Sequence, residues 1–82
     1  MSHVPPTEYV KASDLQPGDL ILYAGMVVEV AAHPVAADWR EAGEYMRGLE
    51  VLCTDASRSG RLFLYRASGH LFERIVKAGN GG

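Results

Sequence analysis

The 82-residue chain has a single cysteine, Cys53, so no disulfide within the chain can staple the fold. A domain of this size buries only about 60 % of the surface its unfolded chain exposes, so one small apolar core must hold it together. The opening residues, MSHVPPTE, carry neither a basic cluster nor an apolar run, and no signal peptide is expected. A lone cysteine without such a leader points to the reducing cytoplasm. No apolar stretch approaches the roughly 20 residues that span a bilayer. His3, His33, His70 and Cys53 show no C-x-x-C or H-x-x-x-H spacing, so neither a metal site nor a cofactor is indicated. Cys53 alternates with Val51 and Leu49 and reads as a buried small hydrophobe. A nucleophilic pair with His33 or His70 has no motif behind it, and no enzyme activity is expected.

Acidic charge is scarce at one end of the chain. Up to Ser57, Lys11, Arg40 and Arg47 stand against Glu8, Asp14, Asp19, Glu29, Asp38, Glu41, Glu44, Glu50 and Asp55. From Arg58 onward, Arg58, Arg61, Arg66, Arg74 and Lys77 face Glu73 alone. Such asymmetry can mark a nucleic-acid footprint. It equally describes a fold that brings the two parts together into a self-paired surface. The overall net charge of −2 weakens the phosphate term on which nucleic-acid affinity rests. Six arginines to two lysines, with many Ala and Gly residues, suggest a GC-rich bacterial or phage genome.

Turn signals punctuate short apolar runs. Residues 1–8 form a proline-bearing arm, residues 9–77 a single domain, and residues 78–82 a disordered glycine tail. Within the domain, Tyr9–Lys11 is a strand and Ala12–Leu15 a helical turn. Gln16-Pro17-Gly18-Asp19 is a type II turn, proline fixing φ and glycine taking the positive φ that follows. Leu20–Tyr23 and Met26–Ala32 pair across the tight Ala24-Gly25 connection. His33–Gly48 reads as a long loop with at most one helical turn, capped by Asp38 and interrupted at Gly43. Leu49–Thr54, Arg61–Ala67 and Leu71–Val76 are the closing strands.

Five to six short antiparallel strands with turns at each boundary predict a mainly all-β fold, a small closed or half-closed barrel of the SH3-like kind. The predicted core is Val10, Leu15, Leu20, Leu22, Val28, Val30, Leu49, Val51, Leu62, Leu64, Phe72 and Ile75, each contributing about 1.5–3 kcal/mol when fully buried.

The succession SDLQPGDLILYAGMVVEVAAH, a variable loop, then LEVLCTDASRSGRLFLYRASGHLFERIV resembles the N-terminal SH3-like (KOW-type) domain of translation elongation factor P and its relatives. The matching positions are Ser13-Asp14-Leu15, Gly18, Tyr23, Gly25, Val28, Val30, His33, Gly60, Phe63 and Arg66. The resemblance spans residues 10 to 75 and implies the barrel fold. The family's functional lysine belongs in the loop after the histidine, and HPVAADWREAGEYMRG contains none, so elongation-factor activity is not implied. Leu15-Gln16-Pro17-Gly18-Asp19-Leu20 also looks like the turn of intein-type domains and of NlpC-type cysteine peptidases. Those enzymes place the catalytic cysteine upstream of the turn, where this chain has none.

Two surfaces are candidates for function. Trp39, Tyr45 and Met46 in the long loop, with Phe63 and Tyr65 opposite Leu62 and Leu64 on their strand, would bind a protein partner or a second copy if exposed. Trp39 plugs the barrel mouth if buried. The alternative is an RNA- or DNA-binding surface with Arg58, Arg61, Arg66, Arg74 and Lys77 on phosphates and Phe63 or Tyr65 stacking on bases. An adaptor or interaction domain is the leading expectation.

Overall fold

The computed structural model describes residues 6–55 and 60–76. It is all-β: seven strands in one antiparallel sheet, β1 (Thr7–Lys11), β2 (Leu20–Tyr23), β3 (Met26–Val30), β4 (Val35–Glu41), β5 (Glu44–Thr54), β6 (Arg61–Arg66) and β7 (Leu71–Ile75). The strand order is β1-β7-β2-β3-β5-β4, with β6 on the other side of β5. A single 3₁₀ turn at Ala12–Asp14 follows β1 and docks on the β6–β7 turn, Ala12 N–H donating to the His70 carbonyl at 2.8 Å.

The expected irregular loop between residues 33 and 48 is instead a β-hairpin. β4 and the first half of β5 pair from Val35↔Glu50 to Glu41↔Glu44. Ala42 and Gly43 turn the chain with φ of 52° and 83°, positive at both central positions as a type I′ hairpin turn requires. The same dipeptide turns β2 into β3, at Ala24 (φ 50°) and Gly25 (φ 78°). Cross-strand pairing therefore outweighs the weak helical propensity of the Asp38–Ala42 stretch, and no helical turn forms there.

β3 and β4 lie along the same edge of β5, with a break between them. Val30 pairs with Cys53 and Val35 with Glu50, so residues 31–34 stand opposite Val51 and Leu52 alone. Pro34, which has no N–H to give a ladder, sits in this break. Beyond it the hairpin projects as an arm, exposed from Arg40 to Arg47, and stretches the molecule to 45 × 25 × 23 Å.

The core is Ala12, Leu15, Ile21, Val28, Val30, Val51, Cys53, Leu64 and Phe72, with Val10, Tyr23, Leu49 and Leu62 packed against it. The expected inward face of β2 is corrected: Ile21 is buried, while Leu20 is 39 % exposed and Leu22 only half-buried. Asp19 sets this phase. Its carboxylate accepts the Gln16 N–H at 2.8 Å, its own N–H donates to the Gln16 carbonyl, and its carbonyl accepts the Val30 N–H. With Asp19 turned inward and buried, alternation sends Leu20 out and Ile21 in, directly opposite Val28. Ile75 is half-buried opposite Thr7, on the face away from Phe72.

The N-terminal boundary also moves. Thr7 and Glu8 belong to β1 rather than to an arm ending at residue 8, because they pair with Ile75 and Arg74. Thr7 Oγ1 donates to Glu73 Oε2 at 2.7 Å. Residues 1–5, 56–59 and 77–82, and with them the first five residues of the expected arm, His3, Arg58, Lys77 and the glycine tail, lie outside the described residues.

Candidate functional site: an aromatic face on three strands

Residues directly opposite in antiparallel strands share a face. Trp39 pairs with Met46, Ala37 with Gly48, and Val35 with Glu50. Glu50 then pairs with Tyr65 and Leu52 with Phe63 across the other edge of β5. One face of β4-β5-β6 thus gathers Val35, Trp39, Met46, Leu52, Phe63 and Tyr65, the side opposite Val51, Cys53 and Leu64. Phe63 is 46 % exposed and Val35 53 %, so the outer part of this surface meets solvent.

Gly48 organises the face. A Cβ at this position would collide with the Arg66 backbone carbonyl and approach Trp39 Cη2 within 2.9 Å. Glycine therefore lets the end of β6 close in and lets the indole lie over the β5 backbone. The indole reaches Tyr65, ring centroids 5.7 Å apart with planes inclined at 43°. The separation is that of a packed aromatic pair. Each ring is tied by its polar end: Trp39 Nε1–H donates to Glu41 Oε1 at 3.1 Å, and Tyr65 O–H to Glu50 Oε2 at 2.8 Å. That second bond, first among causes, raises the Tyr65 phenol above its ordinary pKa.

Four of the five expected partner-binding residues, Trp39, Met46, Phe63 and Tyr65, therefore share one surface. Tyr45 does not. It lies on the reverse of the arm with Asp38 and Arg47, and its pKa is raised chiefly by a hydrogen bond to Asp38. Trp39 is half-buried against its own neighbours, beyond the core rather than plugging it.

The described basic candidates, Arg61, Arg66 and Arg74, do not converge. Arg61 shares the aromatic face, at the Thr54 end of β6. Arg66 points to the reverse, where Nη1 donates to the Tyr65 carbonyl at 2.8 Å. Arg74 is held between two carboxylates, Nη2 on Glu8 Oε2 at 2.6 Å and Nη1 on Asp19 Oδ2 at 3.2 Å. Sequence asymmetry does not reveal this clasp, which joins β1, β7 and the turn that leads into β2. Arg58 and Lys77 fall outside the described residues.

Cys53 is fully buried, and burial pushes its thiol up to about 11. His70 is exposed and stacks edge-on against Phe72, with centroids 4.8 Å apart. His33 is exposed at the β3–β4 break. No group of three His, Cys, Asp or Glu side chains among the described residues is placed to hold a metal ion. No helix among them is long and apolar enough to cross a membrane.

Fold and surface together define a small all-β domain with an exposed aromatic face. Compared with protein-family models, with curated proteins and with solved structures, the chain matches none.

Proposed function

We propose that this is a non-catalytic interaction domain of the SH3-like kind, acting in the cytoplasm, whose β4-β5-β6 face binds a protein partner. The observation that carries the reading is the joining of Trp39, Met46, Phe63 and Tyr65 into one solvent-facing surface by two strands that flank Gly48. Anchors of this kind supply most of the energy of protein interfaces, because rigid aromatics lose little conformational entropy on burial. Glu41 stands at its margin and Glu50 within it, between Val35 and Tyr65, as the polar groups that orient a partner. Cys53, the chain's single thiol, is fully buried with its pKa pushed up, and so is not an activated nucleophile.

The nucleic-acid alternative keeps one favourable feature, Arg61 in line with Phe63 and Tyr65 on one strand face. Fluorescence anisotropy with labelled single-stranded RNA and duplex DNA separates the readings. Protein recognition predicts no binding at about 50 mM salt. Micromolar affinity that collapses by about 200 mM salt and weakens in Arg61→Ala would replace it with the nucleic-acid reading.

A further inference from the structure

β4 is an edge strand: β5 pairs along one side and no described strand along the other. Natural proteins blunt such edges with lysine, proline, bulges or short length. The sheet's other edges are β1, five residues ending at Lys11 after Pro6, and β6, six residues, RLFLYR. β4 is the longest of the three, seven residues, VAADWRE; it too follows a proline, Pro34, but holds neither lysine nor proline within the strand.

The Ala42–Gly43 turn dictates which backbone groups face outward. Glu41 and Glu44 bracket a two-residue turn and form a hydrogen-bonded pair. Alternation then makes Arg40↔Tyr45, Asp38↔Arg47 and Ala36↔Leu49 non-hydrogen-bonded pairs. The N–H and C=O groups of Ala36, Asp38 and Arg40 therefore point to the free edge. Of the symmetric antiparallel registers that can use them, one centred on Ala37 sets Asp38 opposite Ala36 and makes no charge pair, and two others bring charges together. Centring on Asp38 sets the two Asp38 carboxylates against each other. Centring on Trp39 sets Asp38 opposite Arg40 of the other copy, twice. Asp38 has its carboxylate half exposed beside Arg47 at 3.6 Å, and Arg40 is exposed. Charge selects the Trp39-centred register, since like charges directly opposite destabilise a ladder and unlike charges support it.

We propose that the chain forms a two-fold dimer through antiparallel pairing of β4 with β4 of a second copy, Trp39 opposite Trp39 and each Asp38 opposite the other copy's Arg40. Both Asp38–Arg40 pairs are then hydrogen-bonded pairs, and the two Trp39 residues form a non-hydrogen-bonded pair with each indole turned back over β5 toward Tyr65 of its own copy. The two-fold axis runs perpendicular to the sheet, so the aromatic faces of both copies lie on one side and join into a single surface. This goes beyond the reading of the face itself, since an edge can pair whether or not the face binds. A strand-edge contact is a small interface, and the dimer is a concentration-dependent equilibrium.

Sedimentation equilibrium on the full chain over a wide concentration range tests it with complementary charge reversals. Arg40→Asp and Asp38→Arg each place like charges opposite one another and should each weaken self-association at least about tenfold. An equimolar mixture of the two variants restores both opposite-charge pairs and should form a heterodimer near wild-type strength, which also shows that both are folded. Phe63→Ser, on the face, should leave the dimer unchanged. A wild-type chain that stays monomeric throughout, a dimer indifferent to both reversals, or a mixture that remains monomeric would overturn the proposal. A dimer lost only in Phe63→Ser would move self-association from the edge to the face, defeating the proposed edge while leaving the face a binding surface.

Discussion

Trp39 and Tyr65 lie 26 residues apart in sequence, on strands that do not pair with each other, and their rings meet at 5.7 Å across the glycine of the strand between them. The contact fixes the arm to the body of the sheet and converts two separate aromatic segments into one surface. Gly48 permits it.

Gly48→Ala should therefore destabilise the fold although the position is only half-buried. The added methyl group meets a backbone carbonyl, which cannot rotate away as a side-chain tip can. Overpacking of this kind costs about 1–3 kcal/mol. Urea unfolding should show that loss, together with altered Trp39 fluorescence in the folded state. A variant as stable as wild type would mean that β6 shifts freely at Arg66.

The Arg74 clasp separates a buried carboxylate from an exposed one. Asp19→Ala removes the acceptor of the Gln16 N–H and one carboxylate from Arg74, and it loosens the turn that sets the phase of β2. A loss of about 2–4 kcal/mol is expected. Glu8→Gln alters a pair nearly half exposed at its carboxylate and should cost less than about 1 kcal/mol. Equal losses in thermal unfolding would contradict this division.

Cys53 supplies a pH dependence of defined sign. Its folded pKa, raised to about 11 from 9.0, keeps the thiol protonated where the unfolded chain's thiol ionises. The unfolded state then binds fewer protons, so stability falls as pH rises. The contribution is intact below about pH 9 and is lost on the way to about pH 11, by roughly 2–3 kcal/mol. Tyrosines titrate in the same range, so the measurement is the difference between wild type and Cys53→Ala. That difference should shrink across the window. A constant difference would show that the thiol ionises alike in both states.

Ala42 sits at φ 52°, where an alanine Cβ is strained. Ala42→Asn, which creates the preferred Asn-Gly pair, should stabilise the hairpin by about 0.5–1 kcal/mol. The expected readout is a higher midpoint of thermal unfolding and slower amide exchange in β4. A lower midpoint would show that the turn is not of the type its dihedrals indicate.

The same alanine explains why the arm is hard to read from the sequence. All-β class, the Pro17–Gly18 turn and the closing strands follow from local signals that agree with one another. Gly18 does take a positive φ, at 94°. Ala-Gly is a weak hairpin signal beside Asn-Gly, and Asp38-Trp39-Arg40-Glu41-Ala42 looks more like a capped helix than a strand. The pairing that decides the matter is cross-strand and depends on register. The β2 error has a similar origin: LILY fits either phase, and only the buried Asp19 chooses between them. The aromatic face was half readable, since alternation places Phe63 and Tyr65 together. Joining them to Trp39 and Met46, and sending Tyr45 to the reverse, requires β4. The Arg74 clasp depends on contacts between residues 55 and 66 positions apart, which no local pattern carries.

The most direct test of the interaction face is site-specific photo-crosslinking in the cells that make this protein. A photoreactive phenylalanine analogue is placed in turn at Phe63 and Met46, and at Tyr9 and Leu71. The latter two are exposed apolar positions on β1 and β7, strands that pair with neither β4, β5 nor β6. The account predicts a discrete adduct with the same protein from Phe63 and Met46 and none from Tyr9 or Leu71. Equal labelling from all four positions, no adduct from the face, or adducts with nucleic acid alone would contradict it.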